Sequence, residues 1–159
     1  MMSDELHRKG SVNEEHYRGL ERMYLRGANI NAFFEPGLTV SEGAAEVRMR
    51  ISPKLFHAAG AVHGSVYFKA LDDAAFFAAN SLVEDVFVLT SSFHIQLLRP
   101  VTEGELIARG TVVSSTRNLI VADAVLEDDR KRLVAKGTGS FMRSRIKLVD
   151  VPGYLPNDE

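Results

Sequence analysis

The chain has 159 residues, 45% of them hydrophobic, with 19 Lys and Arg against 21 Asp and Glu for a formal net charge of −2, and it contains no cysteine. Such a chain can bury the core of one ordinary domain, and its balanced charge, without a block of one sign, gives no footing to nucleic acid or a membrane surface as the main partner. The lack of cysteine removes disulfides, thiolate nucleophiles and thiolate metal ligands together, and the five histidines have no HExxH-like spacing, so no metal site is expected. The opening MMSDELHRKG lacks the apolar segment of a secretory signal, and no run of about 18 apolar residues follows, so a soluble cytoplasmic protein is expected.

In chain order, Ser11-Val12-Asn13-Glu14 fits a capping box, and Tyr17, Leu20, Met23 and Tyr24 then share one face of a helix that ends near Gly27. Residues 28–34 are ambiguous, Glu35-Pro36-Gly37 is a turn, and Leu38 to Ile51 alternates as a strand closed by Pro53. A loop carrying His57 and Gly60 leads into VHGSVYFKALDDAAFFAA, Val62 to Ala79, whose apolar residues leave no wide polar face and predict a buried helix. Lys69, Asp72 and Asp73 interrupt it. A carboxylate in that setting needs a hydrogen bond, an ion pair or a function, because burying it unpaired is costly or moves its pKa.

Val86 to Arg99 reads as a long strand ending at Pro100, with Leu89, Ser91, Phe93, Ile95 and Leu97 on the core face and Thr90, Ser92, His94 and Gln96 on the other. Three strands follow, Glu105 to Val113, Leu119 to Glu127 and Leu133 to Arg145, joined by links short enough for antiparallel hairpins. Gly137 and Gly139 suit a strand crossing close to the helix, and the tail Asp150 to Glu159 is expected to be extended and frayed. The layout is α+β, one long helix covered by an antiparallel sheet of about five or six strands. Residues 1–37 then form a helical extension, 38–148 a single domain and 149–159 the tail.

Four motifs stand in order along this layout: His63-Gly64-Ser65 at the start of the central helix, Asp72 nine positions after His63, Leu97-Leu98-Arg99-Pro100 followed by Thr102-Glu103-Gly104-Glu105, and Leu133-Val134-Ala135-Lys136-Gly137. From roughly Leu38 to Arg145 the chain thereby resembles the hotdog-fold acyl-CoA thioesterases, specifically the phenylacetate-pathway-like branch. The resemblance implies hydrolysis of an acyl-CoA to a free acid and coenzyme A, with no metal or redox cofactor and coenzyme A present only as part of the substrate. It makes Asp72 the nucleophile or general base and the Gly64 and Ser65 amides an oxyanion site, and it implies a homodimer or homotetramer whose active sites are shared between subunits. A helix N-terminus suits that task, because its first amides lack intrahelical partners and carry partial positive charge.

His63 and Phe68 are candidates for contact with the substrate, and the resemblance places Thr90 near the attacking water. It departs from the pattern at Ser65, where relatives have a second glycine, and at His57, where relatives often have an asparagine that places the water or thioester. Arg117 matches a turn residue of the family, although Thr116 replaces the preceding glycine; a coenzyme A phosphate contact and a solvated arginine are both open there. Simpler readings stand beside these: Asp72 or Asp73 paired with Lys69 on the helix, His63 as a cap, His94 on a polar strand face, and Phe68, Phe76 and Phe77 as core or pocket. The alternative function is a non-catalytic acyl-CoA-binding hotdog protein, and a hotdog hydratase or dehydratase ranks below it because its local motif is missing.

Overall fold

Residues 13–157 are described by a computed structural model. Ser11 and Val12 of the capping box lie outside them. The periodic face of the first segment is buried as its spacing predicts: α1 (residues 13–22) runs on into a π turn, Met23–Gly27, and encloses Tyr17, Leu20, Met23 and Tyr24. The ambiguous stretch after it holds one short helix, α2 (Asn31–Phe34), stopped by Glu35 in a left-handed conformation.

The sheet consists of β1 (Gly37–Ser41) and β2 (Ala44–Arg50), then, after α3 (Gly64–Asn80), β3 (Val86–Leu97), β4 (Glu105–Ser115), β5 (Ile120–Glu127) and β6 (Leu133–Lys147). All its pairings are antiparallel, in the order β1-β2-β4-β5-β6-β3. The stretch Leu38 to Ile51, read as one strand, is a hairpin. Glu42 and Gly43 turn the chain, and Gly43 sits at φ 67°, a region glycine enters without steric penalty. This turn supplies the sixth strand.

Ten of the 17 residues of α3 are buried, and the helix lies along the concave side of the sheet. The closest approach falls at Gly110 of β4, where a Cβ would stand 2.2 Å from the Ala74 carbonyl oxygen. Ala70, Ala74, Ala75 and Ala78 are fully buried around that contact, so small side chains let two backbones meet. Gly137 and Gly139 serve a different neighbour from the one expected. A Cβ at either would strike the Phe93 ring, at 2.4 and 2.7 Å, so these glycines make room for a side chain of β3 rather than for the helix.

The tail also departs from expectation, because its described part packs against α1 through Pro152 and Tyr154. Gly19 makes room for the Tyr154 ring and Gly27 for the Pro152 carbonyl. Buried His16 donates from Nε2 to the Asn80 carbonyl at 2.9 Å and accepts at Nδ1 from the Tyr154 hydroxyl at 2.7 Å, which ties α1, α3 and the tail together. Burial holds the imidazole below its ordinary pKa. Among the described residues no helix is long and apolar enough to cross a membrane.

The Gly110 contact gives a direct test of the fold. Gly110→Val forces a branched side chain into backbone and should cost about 3 kcal/mol of unfolding free energy. Gly37→Val, where a Cβ meets nothing within 4 Å, should change it by less than about 1 kcal/mol. Urea titrations that find the two variants equally stable would contradict this packing.

Candidate active site

The start of α3 is organised by His63. Its extended backbone makes it the N-cap, and its Nδ1 accepts from the Ser65 amide at 3.0 Å while the Ser65 hydroxyl lies 2.8 Å from the same nitrogen. The Val66 amide donates to the His63 carbonyl at 2.9 Å. Of the two amides expected to hold an oxyanion, Ser65 is therefore already engaged. The Gly64 amide donates to no described atom and remains the available donor. Gly64 itself is packed against Leu97, whose Cδ1 would be 3.1 Å from a Cβ added there. His57 stands on an exposed loop that the Phe56–Val62 bridge closes just before the helix, and its Nδ1 accepts from the Ala59 amide at 3.1 Å.

Two turns along α3, Asp72 lies on a strip that the sheet leaves uncovered, in line with Ser65, Phe68 and Phe76. Its Oδ1 accepts from the Thr90 hydroxyl at 3.0 Å, and its Oδ2 accepts from no described donor. Thr90 reaches the helix because β3 carries a bulge. The register with β6 shifts between Thr90 and Ser92, so Val88 and Thr90 face α3 before the bulge, and Phe93 and Ile95 face it afterwards. The uniform alternation read from sequence is corrected accordingly: Leu89, assigned to the core, is 48% exposed, and Thr90, assigned to the outer face, touches the site.

Burial is the largest influence on Asp72 and pushes its pKa up from 3.8 to about 6; Asp73 adds to the rise, while the Thr90 hydrogen bond and Lys69 oppose it. Lys69 is committed elsewhere. Its Nζ lies 2.7 Å from Asp73 Oδ2, and the Tyr24 hydroxyl donates to the same oxygen at 2.5 Å. Burial and the neighbouring Asp73 raise the Tyr24 phenol, which keeps it a donor. The ion pair open to either aspartate thus belongs to Asp73. A cleft of about 380 Å³ opens between the π turn of α1, α3 and β3, with Asp72, Thr90, Phe76, Phe87 and Tyr24 among its walls.

Of the remaining sequence candidates, Phe68 is 40% exposed one turn before Asp72 and packs edge-on against Phe93, with ring centroids 5.5 Å apart. Arg117 is exposed in the β4–β5 link, where the Thr116 hydroxyl closes the turn onto Leu119. The fold therefore brings together Asp72 with Thr90, and His63 with Gly64 and Ser65; His57 and Arg117 touch neither group among the described residues. Tyr24 and Phe87 were not singled out by sequence, since a tyrosine on an amphipathic helix and a phenylalanine at a strand start both read as core. Gly64 and Asp72 are eight residues apart on one helix, a rise of about 12 Å. Among the described residues no cluster of three His, Asp or Glu side chains forms a metal-binding group.

The thioesterase superfamily model matches residues 59–135. A thioesterase family protein of Silicibacter pomeroyi is 30% identical, and its structure superposes with a TM-score of 0.72 over 79% of this chain and 96% of its own. The chain belongs to the thioesterase superfamily. The E. coli PaaI protein from the phenylacetic acid degradation operon shares the fold at 21% identity, with a TM-score of 0.77 over 86% of this chain and 98% of its own. A Haemophilus influenzae thioesterase does so at 19% identity, with a TM-score of 0.67 over 77% and 87%. The architecture is the hotdog fold that the sequence motifs implied, with six strands around α3 and an added N-terminal helix.

A half-buried carboxylate with a raised pKa has a signature in stability as well as in chemistry. The folded state binds the Asp72 proton more tightly than the unfolded state, so its contribution is complete below pH 3.8 and lost as pH rises through about 6. Asp72→Asn removes the charge that carries this cost. Its melting temperature should exceed that of the wild type at about pH 8, with the gap closing toward about pH 4. A gap that is constant with pH would contradict the raised pKa.

Proposed function

We propose that this protein hydrolyses an acyl-CoA thioester to a carboxylic acid and coenzyme A, with Asp72 supplying the carboxylate that starts the reaction. Membership of the thioesterase superfamily supports thioester hydrolysis in general. The observation that carries the finer reading is Asp72 itself: desolvated, oriented by Thr90 through one oxygen, and with its other oxygen unengaged among the described residues. Either that oxygen adds to the thioester carbonyl and expels the thiolate, leaving an anhydride that water opens, or it takes a proton from water as the water adds. In both routes the Gly64 amide receives the developing oxyanion, helped by the N-terminal end of α3.

About 12 Å of helix separates Gly64 from Asp72, too far for one carbonyl group to meet both within a chain. The complete site is therefore proposed to form between two copies, the Gly64 of one chain facing the Asp72 of the other, in a homodimer or a homotetramer built from such dimers. β3 lies at the edge of the sheet, which gives a second copy somewhere to add. A non-catalytic acyl-CoA-binding protein is the second reading. It is favoured by one observation, that His63 occupies the Ser65 amide and leaves the oxyanion a single donor from this turn.

Thiol release from a panel of acyl-CoAs separates the two. Wild type should release thiol with a rate that climbs as Asp72 ionises, through an apparent pKa of about 6, and then levels off. Asp72→Asn should lose roughly a hundredfold or more in kcat, about 3 kcal/mol or more of barrier, while still binding acyl-CoA. Asp73→Asn should instead lower thermal stability, through loss of the Lys69 and Tyr24 contacts, and retain most turnover. Binding without any thiol release by wild type would decide for the second reading.

A further inference from the structure

The cleft beside Asp72 has walls that the thioesterase chemistry does not require. Its far side is made by the turn that follows α1, with Tyr24, Ala28 and Ile30, and its base by Phe76 and Phe87 of α3 and β3. The turn is pinned in place. Tyr24 donates to Asp73 at 2.5 Å, its ring meets Phe77 edge-on at 5.0 Å, and the Asn31 side chain donates to the Tyr24 carbonyl at 2.7 Å. α3 and β3 supply the base of the cleft, and the N-terminal segment closes the side opposite them.

We propose that this segment is the acyl-selecting wall of the enzyme, and that the cleft takes an uncharged, extended or ring-bearing acyl group while rejecting one that ends in a carboxylate. This rests on the thioesterase reading and deepens it. The occupant is argued from continuity, because Asp72 and Thr90 line the cleft, so an acyl chain whose carbonyl stands at Asp72 enters it directly. Its volume of about 380 Å³ falls within the range of small-molecule sites, and its aromatic walls suit apolar surface. The charge preference follows from the ionisable groups that face the cleft. Asp72 and Asp73 carry two negative charges once Asp72 ionises, Lys69 carries one positive charge, and that ammonium already rests on Asp73. The remaining charge is negative, in a site where apolar walls weaken screening.

Non-hydrolysable thioethers of coenzyme A test the wall without turnover. At about pH 8, calorimetric titration of wild type should show S-hexyl-CoA binding at least about thirtyfold tighter than S-ethyl-CoA, from four further methylenes buried. S-(5-carboxypentyl)-CoA, of the same length with a terminal carboxylate, should bind at least about tenfold more weakly than S-hexyl-CoA. Ala28→Phe fills the cleft and should shrink the hexyl-over-ethyl preference to less than about fivefold. Ile30→Ser, at a position 59% exposed and safe for folding, should shrink it about threefold. An unchanged preference in both variants, or a carboxylate analogue that binds as tightly as S-hexyl-CoA, would overturn the proposal. Thiol release from hexanoyl-CoA by wild type is scored separately, so failure of hydrolysis and failure of the wall remain distinct.

Discussion

The backbone of α3 rests on the backbone of β4 where the Ala74 carbonyl meets Gly110, and the rest of the molecule is arranged around that contact. A helix held so close must present alanines to the sheet, which explains Ala70, Ala74, Ala75 and Ala78. Bulk is then supplied by the strands, by Met49, Leu106, Leu126 and Phe141, which fill the space on either side of the narrow contact. The curved sheet covers most of the helix but not all of it. The uncovered strip carries Phe68, Asp72 and Phe76, so the constraint that packs the core also decides which helix face is free for chemistry.

Asp72 and Asp73 are neighbours in sequence, yet their surroundings differ in the way that the proposed catalytic role of one and a structural role of the other require. Asp73 accepts from a lysine and a tyrosine on one oxygen and anchors the N-terminal turn. Asp72 receives a single hydroxyl and is left with burial as its main influence, which raises its proton affinity in the direction the proposed base role needs. Because successive helical residues differ in direction by about 100°, one carboxylate turns toward α1 and the other toward β3. The helix thus divides the two tasks by rotation alone.

Much of this was legible in the sequence. The apolar run from Val62 to Ala79 located α3, the carboxylates within it marked the candidate site, and the short links after Glu105 fixed antiparallel pairing. The N-cap was readable in His63-Gly64-Ser65, although not the loss of the Ser65 amide to the His63 ring, which depends on a rotamer. The bulge in β3 was hidden because Thr90-Ser91-Ser92 is polar throughout, so an alternation count has no apolar residue to betray the slip. Glu42-Gly43 is a turn signal, but alternation on both sides let it read as one strand. The packed tail and the true neighbours of Gly137 and Gly139 are long-range matters: a glycine announces that something comes close, and only the fold says what.

If one chain supplies the oxyanion donor and another the carboxylate, as proposed, two variants that are inactive alone must complement each other. Gly64→Pro removes the available amide at the first helical position, where proline is tolerated, and Asp72→Asn removes the base. Each variant alone should be nearly inactive. Co-refolded in equal amounts, they should recover about a quarter of wild-type activity, because half of randomly formed dimers are mixed and each mixed dimer holds one intact site of two. Activity of the mixture no greater than the mean of the two variants alone would contradict a shared site.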